Sequence, residues 1–385
     1  MFPTAVQHRE TLEGDLTTLS CLKGLQSLCI GFRLDYSHLA LYPPTEPTRG
    51  HPIQVMPSAT QLSDLLWPKL TSVKIDGSIP NPHKPGSYRV KIELLRETLA
   101  WLRTAGHLEY LSMKRVEDRM IGSKFAHWPQ LQHLQLHCNS NTFEYSSDVD
   151  HFIQSCRNLA SLEIHYPDSQ TKMNQLFNTT FSSKSMESLT VLKLINIDPP
   201  SEIHLPFATM FPVLEVFSLL SSPISSWPAR QPTDNMEGVM ANLFPPDLPC
   251  PSLKRFCWRD IPSTYTRLRS HHDSNTPFRC LLGQFTDLQL FPALEYCFVS
   301  FDLDSAVELP AVVDLGLAEW RNNPWRAVHR RITHDLEVLV QDGSSEKLEI
   351  ELSYCWTESQ EDGRRVRFSR TLRAIDKKAT VLSER

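Results

Sequence analysis

The chain has 385 residues, with 39 Lys and Arg against 44 Asp and Glu, and a formal net charge of −5. That charge is too small for the molecule as a whole to capture nucleic acid electrostatically. No apolar stretch is long enough to cross a bilayer, and the first ten residues lack the apolar run of a secretory signal. The nine cysteines are scattered without a C-x-x-C pair, which favours reduced thiols and an intracellular location in cytoplasm or nucleus.

The pattern Leu-x-x-Leu-x-Leu, with aliphatic or aromatic substitutes, recurs along the chain. Self-similarity of this kind indicates a repeat architecture, in which each unit buries its apolar face against its neighbours. The nine copies begin at Leu25, Leu70, Leu108, Leu131, Leu159, Leu189, Leu214, Leu253 and Leu294.

Each copy predicts a short strand. In Leu131-Gln-His-Leu134-Gln-Leu136 the last two leucines are two residues apart, so they point to one side of the strand and their neighbours to the other. Between Leu108 and Leu214 the copies are 23, 28, 30 and 25 residues apart, close to the range of about 20–29 for leucine-rich repeats. Outside that stretch the intervals lengthen to between 38 and 45 residues. Every interval is long enough for the crossover that parallel strands require.

Two intervals carry helical periodicity, before the third copy (Ile92, Leu95, Leu99, Leu102) and before the fifth (Val149, Phe152, Ile153, Cys156). A proline often stands two residues before the anchor leucine, as in Trp128-Pro129-Gln130-Leu131, where it is expected to stop a helix and preorganise the start of the strand. The predicted fold class is therefore α/β, an irregular right-handed solenoid with parallel strands on its concave face and helices and loops on its convex face.

Local composition distinguishes inserted loops and a carboxy-terminal segment from the repeats. Segments rich in proline or polar residues at 41–58, 76–89, 221–251 and 260–277 predict loops inserted into the solenoid. Residues 307–332 are expected to be helical in part, with a break at Pro324, and alternating apolar residues from Leu348 to Tyr354 predict a strand. The turn signal Asp362-Gly363 predicts a hairpin with the following run. We thus expect a solenoid of about nine repeats over 1–305 and a capping segment over 306–385.

These motifs resemble the leucine-rich-repeat part of the large fungal F-box protein families, over roughly residues 15–305. The resemblance implies a substrate receptor related to ubiquitin-ligase subunits, whose concave face selects a target protein. Two departures matter. The asparagine that usually follows the repeat occurs only at Asn139, and residues 1–24 are too few and too polar for an F-box. The box was lost, or the gene model starts late, or the chain is a stand-alone interaction scaffold unrelated to ubiquitination.

Side chains on the strand face opposite the leucines are the candidate partner-binding residues. This face is polar in the middle of the chain and carries aromatic and arginine residues of the kind that anchor protein interfaces. The predicted site comprises Tyr110, Lys114, His133, His137, Glu163, His165, Lys193, Arg255 and Arg259.

Alternative chemistry finds less support. His133, His137 and His165, with Cys138 nearby, could hold Zn²⁺, but histidines on a solvated sheet face are usually polar surface residues. The catalytic and phosphate-binding motifs G-x-S-x-G, G-x-x-x-x-G-K-[S/T], G-x-G-x-x-G and H-E-x-x-H are absent, so we expect no enzymatic activity, metal or cofactor. The basic run from Arg364 to Lys378 could bind nucleic acid, but a hairpin would pair its charges with those of the preceding glutamates, which is the favoured interpretation.

Overall fold

The computed structural model describes residues 24–31, 69–76, 102, 106–116, 128–138, 147–165, 176–181, 186–195, 205–220, 243–261, 289–302, 324–342, 348–359, 365–375 and 378–384. The protein is mixed α/β, with twelve mostly parallel strands and few helices among these residues. It divides into two compact units, Met1–Ile164 and His165–Arg385.

Unit 1 contains parallel strands in sequence order. They are β1 (Ser27–Gly31), β2 (Ser72–Asp76), β3 (Tyr110–Val116), β4 (His133–Cys138) and β5 (Ser161–His165), whose last residue lies past the unit's end; helix α1 (Ser147–Ser155) precedes β5. The apolar positions are in register, with Val73 opposite Leu28 and Leu111, and Leu111 opposite Leu134. A shared register places all these side chains on one face.

The described residues of unit 2 form seven further strands. Five are parallel: β6 (Val191–Ile195), β7 (Val216–Leu220), β8 (Arg255–Ile261), β9 (Tyr296–Asp302) and β10 (Glu349–Ser359). Strands β11 (Arg365–Ile375) and β12 (Lys378–Glu384) continue antiparallel from β10. The helical segments are a π-helix (Leu176–Phe181), α2 (Phe207–Met210) and α3 (Pro324–Asp342).

Strands β1 to β9 lie at the nine copies of the leucine pattern. The inward positions are closed to solvent, since Leu134 is 2% exposed and Leu111, Leu162, Leu192 and Phe217 are fully buried. The observed strands and their burial agree with the predicted α/β class. The finer class, a leucine-rich-repeat solenoid, stays a prediction, as do the domain bounds 1–305 and 306–385.

The carboxy-terminal region follows the prediction in one part and departs from it in another. The predicted hairpin is present as β10 and β11, paired from Ile350 opposite Ala374 to Ser359 opposite Arg365. Pro324, predicted to break a helix, instead begins α3, because proline has no N–H to lose at a first helical position. Strand β12 was not predicted.

The turn before each strand explains the aromatic-Pro-x-Leu motif. In Phe291-Pro292-Ala293-Leu294 the N–H of Leu294 donates to the carbonyl of Phe291 at 3.2 Å, which makes a β-turn with proline at its second position. Phe291 and Leu294 are buried and Pro292 is exposed. The same turn closes from Trp128 to Leu131 and from Phe211 to Leu214. Proline here shapes a tight turn whose two ends are core residues.

A backbone ladder runs past the starts of the strands. The carbonyl of the residue after an anchor leucine accepts two N–H groups from the next strand's start, as Glu109 does from Gln132 and His133, both at 2.9 Å. The carbonyls that repeat this double acceptance belong to Gln26, Thr71, Glu109 and Gln132 in unit 1 and to Thr190, Glu215 and Lys254 in unit 2. These bonds satisfy backbone groups without a regular row of asparagines.

Phenylalanine fills much of the core of unit 2. Phe207 contacts Phe217 with ring centroids 4.7 Å apart and Phe244 at 5.1 Å, and Phe244 also lies 5.1 Å from Phe291. Phe244 falls within the segment 221–251, which composition alone marked as a loop. Only 243–251 of that segment is described, and it contributes three buried side chains, Leu243, Phe244 and Cys250, to the core.

The predicted helix before β5 is present as α1, with Phe152, Ile153 and Cys156 buried as its periodicity indicated. The predicted helix before β3 lies outside the described residues except for Leu102, which is buried. The predicted loops at 41–58, 76–89 and 260–277 also lie outside them, apart from Asp76, Asp260 and Ile261.

Candidate functional site

The outward face of unit 1, defined as the side of β2 to β5 opposite the leucines, carries a row of polar side chains in register. Tyr110 stands opposite His133, and Lys114 opposite His137. Between these two pairs along the strands, Lys74, Ser112 and Gln135 lie side by side on β2, β3 and β4. Sequence periodicity had predicted this alternation, and the register fixes which side chains are neighbours.

Hydrogen bonds join the middle of this face into one network. The Tyr110 hydroxyl and the Ser112 hydroxyl both donate to Gln135 Oε1, at 3.2 and 2.8 Å. Gln135 Nε2 donates in turn to Glu163 Oε1 at 2.5 Å, and His137 Nε2 lies 3.5 Å from the same carboxylate oxygen. Because each bond fixes the orientation of the next side chain, the network presents a preorganised polar surface.

Cationic and aromatic groups flank the network. Lys74 Nζ lies 5.9 Å from the centre of the Tyr110 ring, and the His133 ring is 6.4 Å from the Tyr110 ring. Lys114 and His133 are exposed, whereas Tyr110, His137 and Glu163 are half-buried. Five of the nine predicted site residues therefore lie on this one face.

The other four predicted residues belong to unit 2. His165 is its first residue and is half-buried at the end of β5, and Lys193 is exposed on β6. Arg255 and Arg259 are exposed on β8. The outward face of unit 2, defined as the side of β6 to β10 opposite the buried row, takes in the register row Lys193, Ser218, Cys257, Phe298 and Glu351.

Both arginines of β8 lie over aromatic rings of β9. The guanidinium carbon of Arg255 is 5.0 Å from the centre of the Tyr296 ring, and that of Arg259 is 5.2 Å from the centre of the Phe298 ring. A cation placed over the face of a ring is attracted by it, and the contact restricts where the guanidinium can point. Tyr296 and Phe298 are thus part of the candidate site that the prediction had left out.

The edge of this face at β10, opposite the edge at β6, carries two carboxylates, Glu349 and Glu351. Tyr296 donates its hydroxyl to Glu351 Oε2 at 3.2 Å, and Arg373 Nε donates to Glu349 Oε1 at 2.8 Å. Burial, followed by the nearby Glu351 charge, raises the pKa of Tyr296 to about 12, so the hydroxyl keeps its proton. The Arg373–Glu349 pair is one of the cross-strand charge pairings expected for the hairpin.

Cys257 lies between the two arginines. Desolvation raises the pKa of its thiol, and the Arg255 and Arg259 charges only partly oppose that effect. The thiol is therefore protonated at neutral pH and is a poor nucleophile. Burial likewise raises the pKa of Cys156 and of Cys250 to about 12 each.

No group of three or more His, Cys, Asp or Glu side chains that could hold a metal ion occurs among the described residues. His133 and His137 face outward in unit 1, where His137 already lies beside Glu163. Within the same described ranges, the helices include none that is long and apolar enough to cross a membrane.

Gln135 and Ser112 are the residues of unit 1 that sequence reasoning missed. Both occupy outward positions, but nothing in the residue types marks Gln135 as the centre of a network. Ser112, only 1% exposed, is buried on a face predicted to be solvated. Its hydroxyl is hydrogen-bonded to Gln135, a neighbour that only the strand register reveals.

Comparison with known proteins gave no match, whether to a family model, to a curated protein or to a solved structure.

Proposed function

We propose that this protein is a non-enzymatic protein-recognition module, built as an irregular leucine-rich-repeat solenoid, that binds a target protein through the outward, concave face of its strands. The observation that carries the proposal is the contrast between the two sides of the parallel strands. The inward rows are closed aliphatic and aromatic core, and the outward rows hold ordered polar, aromatic and arginine side chains.

The chemistry of the outward face favours binding over catalysis. In unit 1 the Ser112 hydroxyl donates to an amide oxygen, so it is not paired with a general base. In unit 2 the Cys257 thiol has a raised pKa, which is opposite to what a nucleophilic cysteine needs. Tyrosine and arginine, in contrast, are the residue types that most often dominate the binding free energy of protein interfaces.

The resemblance to fungal F-box families adds the finer part of the proposal, a substrate receptor of a ubiquitin ligase acting inside the cell. Its test is to read the genomic DNA upstream of the codon for Met1 for an in-frame F-box and to ask whether the extended product co-purifies with a ligase adaptor. An upstream stop codon without any F-box would leave a stand-alone interaction scaffold as the function.

Quantitative affinity capture tests the recognition role in each unit separately. Tyr110→Ala and Arg255→Ala should each reduce recovery of a specific partner, corresponding to a loss of roughly 1–4 kcal/mol of binding free energy, without altering the fold. Arg157→Ala is the matched control, because Arg157 is exposed in the turn before β5 and not on the outward face. Unchanged recovery of every partner with both outward variants would contradict the proposal.

A further inference from the structure

The two arginines of β8 differ from Lys254 and Arg373, which pair with carboxylates in the same unit. Lys254 Nζ lies 2.9 Å from Glu215 Oε1, and Arg373 Nε lies 2.8 Å from Glu349 Oε1. Arg255 and Arg259 make no ion pair with any carboxylate among the residues that the structure describes. They lie over the rings of Tyr296 and Phe298 instead.

Such an arrangement is preorganised for an anion. Each guanidinium carbon lies 5.0 or 5.2 Å from a ring centre, and both arginines are exposed, so their N–H groups are open to solvent. Because the contact with the ring already restricts the side chain, less conformational entropy is lost when a carboxylate binds. Paired arginines, such as Arg373, would first have to give up their carboxylates.

The distance between the two arginines indicates the conformation of the ligand. Arg255 and Arg259 are four residues apart on one strand, so their Cα atoms are about 13 Å apart. An extended peptide places side chains four positions apart at the same distance, whereas a helix places them only about 6 Å apart. The outward side chain between the arginines is Cys257, half-buried and protonated, beside the Phe298 ring. A small apolar residue would fit against that position.

We propose that the outward face of unit 2 docks an extended acidic peptide segment of a partner protein, with two carboxylate side chains four residues apart bound to Arg255 and Arg259 and an apolar residue between them facing Cys257 and Phe298. This inference rests on the proposed recognition function and names the chemistry of its partner.

Nucleic acid fits the same face less well. A phosphodiester strand carries a charge at every nucleotide and would bring several of them toward Glu349 and Glu351, which lie on β10 next to β9. With two arginines on this face that have no ion pair within the described ranges, few counterions would be released on binding, so the gain for a polyanion is small. A peptide with two acids and a neutral remainder avoids those carboxylates.

Phage selection from a random library of extended peptides, each of about twelve residues, tests the inference directly. Wild-type protein should enrich sequences with Asp or Glu at positions i and i+4 and an apolar residue between them. The double variant Arg255→Gln/Arg259→Gln should lose that enrichment. Lys254→Gln/Arg157→Gln, which removes the same charge from a half-buried and an exposed position off the outward face, should retain it.

The affinity of an enriched peptide then measures how much the two arginines contribute to binding. Its Kd, measured by fluorescence anisotropy, should weaken by about ten-fold or more in Arg255→Gln/Arg259→Gln and when its two acids become amides, and by less than about two-fold in the control variant. Circular dichroism melting confirms that each variant is folded.

Three outcomes would overturn the inference: no acidic pair is enriched, the enriched peptide binds the double variant as tightly as wild type, or a single-stranded RNA oligonucleotide outcompetes every peptide at physiological salt. Capture experiments distinguish this failure from failure of the module itself. If partner recovery still depends on Tyr110 or Arg255 but acidic peptides do not bind, the proposed recognition function is supported and the proposed acidic peptide ligand is rejected.

Discussion

At the scale of single residues, the two sides of one strand have opposite roles. Leu134 is 2% exposed, and its neighbours His133 and Gln135 face the other way. Leu134→Ala should therefore lower the free energy of unfolding by about 2–5 kcal/mol, through lost burial and the cavity left behind. His133→Ala, one residue away but exposed, should change it by less than about 0.5 kcal/mol. Equilibrium urea unfolding measures both, and equal losses would contradict the assigned strand orientation.

His329 gives the stability of unit 2 a pH dependence. It is buried on α3, with Nδ1 3.1 Å from the Tyr354 hydroxyl and its ring 4.4 Å from the Trp356 ring. Desolvation, with a smaller contribution from the Arg370 charge, lowers its pKa from 6.5 to about 4. Between these values the unfolded chain binds a proton that the folded chain does not, so stability falls as pH decreases from about 6.5 to about 4.

His329→Gln should remove that dependence, since glutamine does not titrate in this range. The measurement is the urea midpoint of wild type and variant at several pH values from 7 to 4. A wild-type slope that persists unchanged in the variant would assign the dependence to other groups.

Cysteine accessibility checks burial independently at several places. Cys29 is exposed, whereas Cys156, Cys250 and Cys297 are buried and have raised pKa values because of desolvation. Iodoacetamide should modify Cys29 in the folded protein and the other three only after unfolding, as read by peptide mass spectrometry. Rapid modification of Cys156 or Cys297 in the folded protein would contradict the core described above.

At the scale of elements, the turn before each strand is the unit that joins local sequence to packing. Phe291→Ala should cost about 3–5 kcal/mol of unfolding free energy, because it empties a buried aromatic site beside Phe244. Pro292→Ala should cost less than about 1 kcal/mol, since the proline is exposed and contributes mainly by restricting the unfolded chain. A larger loss at Pro292 than at Phe291 would mean that turn geometry outweighs packing.

Most of the strands could be predicted from the sequence, and one could not. Strands β1 to β9 could be located because two-residue alternation beside an anchor leucine is a direct consequence of strand geometry. The β10–β11 hairpin was predictable from its turn signal and alternation. Strand β12 was missed because Val381 and Leu382 are adjacent, so the apolar residues of this run do not keep a two-residue alternation.

The candidate site was less predictable than the strands. Outward positions follow from periodicity, so Tyr110, His137 and Arg255 could be named. Which of them contact each other depends on strand register across intervals of 23 to 45 residues, which no local pattern encodes. The Gln135 network and the contact of Arg255 with the Tyr296 ring therefore become visible only in the folded chain.

At the scale of the whole molecule, each of the two units combines a closed core on one side of its strands with an ordered outward face on the other. The outward face of unit 1 carries a hydrogen-bonded polar network, and that of unit 2 carries two arginines over aromatic rings, next to the carboxylates of β10. The central claim is that partners bind to these faces.

Site-specific photo-crosslinking in living cells tests that claim most directly. A photoreactive amino acid placed at His133 or Lys193, exposed on the outward faces, should crosslink a specific partner protein. The same group at Arg157 or Val213, exposed in the turns before strands, should not. Crosslinking of the same partner from Arg157 or Val213, with none from His133 or Lys193, would contradict the account and move recognition away from the strand faces.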